Sequence, residues 1–363
     1  MNKLSLIAIT IASSLLFSCN DNVDINADFQ DITVVHSAID PNDTEHYVKI
    51  NRAFLQDGVD ANELAANSDN FNYPAGELSV TAQEINSGNG NVLKTYNLVR
   101  TVNERPKNPG IFANDSNVLY KFTEASIERN NIYRIKIYNN KLDKEITSET
   151  KIVGTNTVTT PSQSQKMGFW TGDVGSGAYV SRSISFTTGK NIGRVEARLV
   201  FNYIDHFTVA SGLSPISRRI VMRLGEKKTL NSSTGNEVLE WLMEGATFFD
   251  NVASGTPVMP SNLSHREVSN VSMEFIVTGT ELNIFMEVSE PSNNVNQEKP
   301  AYTNINNGLG VFSSRETYNW ISTTTGPNVN LTNETLSKLQ SLNLGFCFGT
   351  TGIGFPVSPC VQQ

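Results

Sequence analysis

The chain of 363 residues is poor in charge, in histidine and in cysteine, and each shortage excludes something. Charged residues make up 18%, with 28 Lys+Arg against 36 Asp+Glu and a net charge of −8. No basic surplus exists to displace counterions from phosphates, so nucleic acid is not an expected partner. The four histidines (His36, His46, His206 and His265) are scattered without ligand spacing, so neither a metal nor another cofactor is expected. Catalytic signatures are missing too. There is no Gly-x-Ser-x-Gly elbow, no zinc-peptidase pair of histidines around a glutamate and no phosphate-binding Gly-Lys-Ser/Thr loop. Gly349-Thr350-Thr351-Gly352-Ile353-Gly354 follows no βαβ unit and opens no helix, which removes a dinucleotide turn. The chain therefore reads as a non-enzyme. A hydrolase remains as an alternative through a carboxylate pair, with Asp173, Asp205, Glu240 and Glu244 as candidates that no spacing singles out.

The N-terminus carries the strongest signal. Lys3 precedes an uncharged, mostly apolar run from Leu4 to Phe17, too short to span a bilayer but suited to a signal-peptide core. It ends Leu16-Phe17-Ser18-Cys19, which resembles the lipobox of bacterial lipoproteins. That resemblance implies cleavage before Cys19, fatty acylation (palmitate among the chains) on its sulfur and new amino group, and a body held on the outer membrane, at the cell surface or on the periplasmic face. Several acyl chains, each contributing about 0.8 kcal/mol per buried methylene, make such an anchor nearly permanent. Asn20 to Asp28 lacks the Gly and closing Glu of an EF-hand and reads as an acidic tether. In Bacteroidota lipoproteins acidic residues at this place can favour surface export, and Asp21 and Asp24 stand there. Cys347 and Cys360 remain as a disulfide candidate, with two free thiols as the alternative. Closing a loop of about 14 residues would contribute roughly 3 kcal/mol.

From Phe29 the pattern alternates with period two. Strands are expected around Ile32–Val35, Tyr47–Asn51, Leu78–Ala82, Val92–Val99, Val118–Phe122, Ile132–Tyr138 and Glu145–Val153, with turn chemistry at Ser87-Gly88-Asn89-Gly90-Asn91 and a helical turn at Asn62–Ala66. The expected fold class is mainly β. An immunoglobulin-like or transthyretin-like sandwich over residues 29–154 is followed by a polar linker at 155–165 and a second β-rich domain with two short helices over 166–363. Within the second block Tyr179–Thr187, Arg194–Tyr203 and Arg219–Leu224 read as strands, and Val271–Val277 with Leu282–Val288 as a hairpin around Gly279. The helices are expected at Asn236–Glu244, with Val238, Trp241 and Leu242 on one face, and after a Thr332 cap, with Leu336, Leu339 and Leu342 on one face. Phe169-Trp170 and Tyr318-Asn319-Trp320 offer aromatics for a ligand platform. Trp170 and Trp320 are the candidates there, against the alternative that both are core.

Val34-Val35-His36-Ser37-Ala38-Ile39-Asp40-Pro41, then His46 to Leu55, and late in the chain Glu298 to Phe312 with Asn304-Ile305-Asn306-Asn307-Gly308-Leu309-Gly310-Val311-Phe312, resemble segments of an uncharacterised lipoprotein family of Bacteroidota. Gly308 and Gly310 are expected to permit a tight backbone path there. The resemblance implies a gene often placed beside TonB-dependent outer-membrane receptors, and so a lipid-anchored accessory in the uptake of a nutrient, glycan or peptide. It carries no functional residues. The chain also resembles Bacteroidota pilins in layout alone, which keeps a fimbrial subunit or adhesin as an alternative. Those precursors need an Arg or Lys cleavage site before an expellable first strand, and here the first Lys or Arg after Cys19 is Lys49.

Overall fold

The structure is a computed structural model, and it describes residues 31–54, 59–290, 301–321, 330–348 and 360. It is mainly β. Strands β1 (Thr33–Ile39) and β2 (Glu45–Arg52) come first, then helix α1 (Ala61–Ala65), whose N-terminus is capped by the Asp60 carboxylate accepting from the Asn62 N–H at 2.7 Å. Strands β3 (Leu78–Ile85), β4 (Val92–Asn97), β5 (Val99–Val102), β6 (Val118–Thr123), β7 (Ile132–Asn139) and β8 (Lys144–Lys151) follow. Their alternating residues are apolar, and the buried set includes Val80 and Ala82 on β3 and Tyr133, Ile135 and Ile137 on β7. The antiparallel sheet β4-β3-β7-β8 lays this face against β1, β2 and β6. The expected sandwich thus forms, with the β3–β4 turn held by the Asn86 side chain accepting from Gly88 and Asn89 at 2.9 and 3.1 Å.

The second block does not begin with a free linker. Thr157–Thr160 is strand β9, which pairs with β12 (Arg182–Thr187) after the two-residue strands β10 (Trp170–Thr171) and β11 (Ala178–Tyr179). Alternate threonines suit a strand face, and the polar composition hid the pairing. Four long strands dominate the rest: β13 (Ile192–Phe207), β14 (Ile216–Lys228), β16 (Leu263–Gly279) and β17 (Gly308–Ile321). Between them β15 (Val238–Met243) replaces the helix expected at Asn236–Glu244. It buries Leu239, Trp241 and Met243 with period two and leaves Val238 and Leu242 outside, because it pairs along its whole length with β12. Helix α2 (Gly245–Gly255) follows it. The hairpin expected around Gly279 is also corrected: β16 runs directly into helix α3 (Thr280–Ser289). The helix expected after Thr332 is present as α4 (Asn333–Gln340), leading to the short β18 (Phe346–Cys347).

These strands do not make two separate sheets. One nine-stranded sheet runs β14-β13-β16-β17-β1-β2-β6-β5, with β18 beside β16. The join is a parallel ladder of β1 and β17, from Thr33 opposite Gly308 to Ile39 opposite Ser314. Gly310, at φ +110°, lets the backbone approach Val35 so closely that a Cβ would collide with its carbonyl. On one face of this sheet lie two apolar cores. The first includes Val35, Ile50, Ile135 and Phe312, and the second includes Phe169, Phe201, Trp241, Phe275 and Leu336. Ile305 and Phe312, late in the sequence, belong to the N-terminal core, so the boundary at 155–165 does not divide the packing.

A polar seam separates the cores. The buried Glu316 carboxylate accepts from both terminal nitrogens of Arg129 at 2.8 and 3.0 Å, from Asn42 Nδ2 at 2.9 Å and from Asn156 Nδ2 at 2.9 Å. Arg129 also donates to the Val153 carbonyl at 2.9 Å, so loops from both blocks converge on one carboxylate.

Candidate functional site

Cys19 and the signal-like run lie outside the described residues. Cys347 and Cys360 are joined by a disulfide with Cα atoms 4.9 Å apart. Neither tryptophan forms a platform. Trp320 is 2% exposed and faces the second core, while Trp170 is 7% exposed, donates to the Gly172 carbonyl at 3.1 Å and lies under the Lys338 ammonium at 4.4 Å. Of the four carboxylates considered for hydrolysis, Asp205 is committed to Arg266 at 3.1 Å and Arg218 at 3.0 Å. Glu240 accepts from Ser185 at 3.3 Å, Glu244 is the first residue outside α2, and the Asp173 carbonyl receives the N–H groups of a tight turn.

The chemistry concentrates elsewhere, on the outward face of the long strands. Residues Val195, Ala197, Leu199 and Phe201 of β13 point into the second core, so Glu196, Arg198, Val200 and Asn202 point the other way. The same alternation turns Asn270, Ser272 and Glu274 of β16, Arg219 of β14 and Asn319 of β17 outward. These residues line a cleft of about 410 Å³. Antiparallel register places Asn202 opposite Asn270, and its amide donates to Asn270 Oδ1 at 2.9 Å and to Ser272 Oγ at 3.1 Å. Arg219 pairs with Glu274 across β14 and β16, at the cleft rim. Beside it Arg198 grips Glu196 through two bonds of 2.8 and 3.1 Å and holds that carboxyl below its usual range. Ile204 and the exposed Ile321 supply apolar flanks, with the buried Val200 beneath. Amide and hydroxyl groups a few ångströms apart on a pleated face can donate and accept together, which suits a ligand with neighbouring hydroxyls.

No protein-family model matches the chain. No curated protein matches either. Among solved structures the chain is similar to the crystal structure of the C-terminal globular domain of an oligosaccharyltransferase from Pyrococcus abyssi. The identity is 9%, the TM-score 0.23, and the match covers 64% of this chain and 44% of that one. This chain thus spans less than half the length of that neighbour.

Two groupings escaped the sequence. The polar cleft could have been found by reading the outward set of β13 and β16 together, since Asn202, Asn270 and Ser272 fall on the positions that alternate with the core residues. The second grouping corrects the reading that the histidines are scattered. His206 and His265 sit opposite each other in the β13–β16 register and stack at 4.6 Å and 14°. His206 Nε2 is 3.0 Å from Glu267, and a ring nitrogen of His265 lies within 4.8 Å of both sulfurs of the disulfide. Burial, then the neighbouring His206, lowers the His265 pKa. The other two histidines are isolated: His36 meets Phe285 edge-on, and His46 Nε2 is 3.1 Å from the Glu124 carbonyl. Among the described residues no helix is long and apolar enough to cross a membrane.

Proposed function

We propose that the chain is a lipid-anchored binding protein of the outer membrane, fastened through Cys19 and presenting the open cleft of β13, β14, β16 and β17 to a glycan. The anchor half of this reading is supported by Lys3, the apolar run Leu4–Phe17 and the Ser18-Cys19 junction. A disulfide suits a compartment outside the cytosol. The binding half is carried by one observation: the hydrogen-bonded ladder of Asn202, Asn270 and Ser272, flanked by Arg219–Glu274, on a sheet face whose reverse is core. An antiparallel sheet with its core on one side commonly turns polar residues to the other, so the ladder marks a face kept for water or a ligand. A TonB-dependent receptor is the proposed membrane partner, with the chain as its accessory in uptake.

Two measurements test this reading. Labelled palmitate should be incorporated by the natural chain and lost in Cys19→Ala, which should also move from the membrane to the soluble fraction. An unmodified thiol at Cys19 in the mature protein would sink the anchor. On a glycan panel the wild type should retain at least one polysaccharide, and Asn202→Ala/Asn270→Ala should weaken it tenfold or more without changing thermal stability. Binding that survives this double substitution would sink the cleft.

A further inference from the structure

The disulfide lies beside the stacked histidines. We propose that the Cys347–Cys360 bridge is the closed form of a metal site: when a dithiol opens it, the two thiolates and the His265 imidazole hold one Zn²⁺, with water in the fourth position.

Geometry carries this. The two sulfurs and a ring nitrogen of His265 lie within 4.8 Å of one another. A tetrahedral zinc with Zn–S near 2.3 Å and Zn–N near 2.0–2.1 Å needs donor atoms roughly 3.3–3.8 Å apart, so the three donors have only to settle around a common centre once the sulfurs separate. Two of the donors are already fixed to one another. Cys347 lies on β18, opposite Glu267 in the parallel ladder to β16, and its Sγ contacts the Arg266 carbonyl at 3.5 Å, one residue from His265. His265 is held in turn. The His206 ring stacks on it, His206 is tied to Glu267, and the Ser264 hydroxyl lies 3.1 Å from His265 Nδ1. Partners of this kind fix the ring plane of a ligating histidine. Two thiolates with one imidazole form a donor set suited to zinc, and a three-ligand site leaves the open position of a reactive one.

The opening step balances as thiol–disulfide exchange. Cys347 is buried and Cys360 is half-buried, so an external thiolate attacks Cys360 Sγ and Cys347 leaves as the thiolate. The second thiol of the same dithiol then attacks its own sulfur in the mixed disulfide and releases Cys360. The dithiol departs as a disulfide, two electrons have entered the chain, and its two protons are released when both cysteines bind zinc as thiolates.

The test uses the full chain with Cys19→Ser, which removes the third thiol. After reduction with dithiothreitol and anaerobic desalting, one Zn²⁺ per chain should bind in competition with a chromophoric chelator, and Co²⁺ should give thiolate charge-transfer and tetrahedral ligand-field bands. The oxidised chain should bind neither ion. His265→Ala, reduced in the same way, should bind at least tenfold more weakly with altered Co²⁺ bands, and His206→Ala should weaken binding while keeping the band pattern. Hydrogen exchange over β16 in the reduced chain reports whether the sheet survives. A reduced chain that binds no Zn²⁺, a His265→Ala chain that binds it as tightly as the parent, or a β16 that exchanges freely on reduction would each overturn the proposal and leave the bridge a structural staple.

Discussion

Replacing Glu316 with Gln should destabilise the protein by about 3 kcal/mol, and the seam geometry sets that size. The carboxylate is 3% exposed and accepts four bonds from Arg129, Asn42 and Asn156. Glutamine keeps the volume but turns one acceptor into a donor facing donors, so at least one guanidinium bond and one amide bond are lost. Breaking a buried pair by removing one charge costs about 3–5 kcal/mol. The lower end applies here because the Arg129 side chain is 23% exposed and can recover water. Arg129→Met should cost more, about 4 kcal/mol, since the stranded Glu316 side chain is only 4% exposed and keeps just two amides. Replacing both by Met removes the unpaired charge, so the double variant should fall at least about 2 kcal/mol short of the sum. Urea denaturation followed by circular dichroism measures all three, and hydrogen exchange of residues 151–156 should rise in the single variants. A Glu316→Gln loss below about 0.5 kcal/mol, or strict additivity, would refute the claim that this carboxylate joins the two cores.

Other positions give independent tests. Gly310→Ala should cost about 3 kcal/mol or more, because the residue would be held at φ +110° with its Cβ against the Val35 carbonyl; a denaturation midpoint near wild type would contradict the β1–β17 ladder. Burial lowers the Lys49 ammonium to about 8, so the folded chain binds fewer protons than the unfolded chain between there and its ordinary value near 10.4. Stability should therefore rise with pH across that window. Linkage allows about 3 kcal/mol, and about 1 kcal/mol is expected from this partly solvated group, while a dimethyl-lysine NMR signal titrating near 10 would refute the assignment. All three tryptophans are buried, at 7%, 5% and 2% exposure for Trp170, Trp241 and Trp320, so acrylamide should quench the native emission weakly and the denatured emission strongly.

The sandwich was legible because its signal is local. Val80 and Ala82, or Ile135 and Ile137, alternate within a few residues of each other, and the Asn89-Gly90 turn follows the first run. Val238, Trp241 and Leu242 fit a helix face, while Leu239, Trp241 and Met243 fit a strand face, and both sets occupy the same six residues. Only the pairing with β12 decides between them, and that pairing is not local. Thr280–Ser289 failed differently. Its Asn283 is needed as a helical residue, accepting at 2.7 Å from Arg194, and the Leu282 N–H meets Ser313 Oγ at 3.1 Å. The β1–β17 join, the Glu316 seam and the histidine stack all combine residues far apart in the chain, so one sequence offers no period that reveals them.

The position of β1 also weighs between the fibre-forming and the binding readings. Polymerisation by strand exchange needs a strand that can leave at modest cost and be replaced from a neighbour. β1 is bonded on both sides, in parallel to β17 along its length and antiparallel to β2 from Thr33 to His36. Val35 and Ile39 are 0% and 1% exposed in the first core. Expelling it would open two ladders together and cut the nine-stranded sheet between its two cores, whereas loss of an outer strand opens one. Growth by edge addition at β14 meets a different obstacle: that edge strand carries Arg218, Arg219, Arg223, Glu226, Lys227 and Lys228, charged side chains of the kind that discourage docking of a like edge. Among the described residues the first strand is thus held at mid-sheet by two ladders, which counts against exchange of that strand as a route to a fibre.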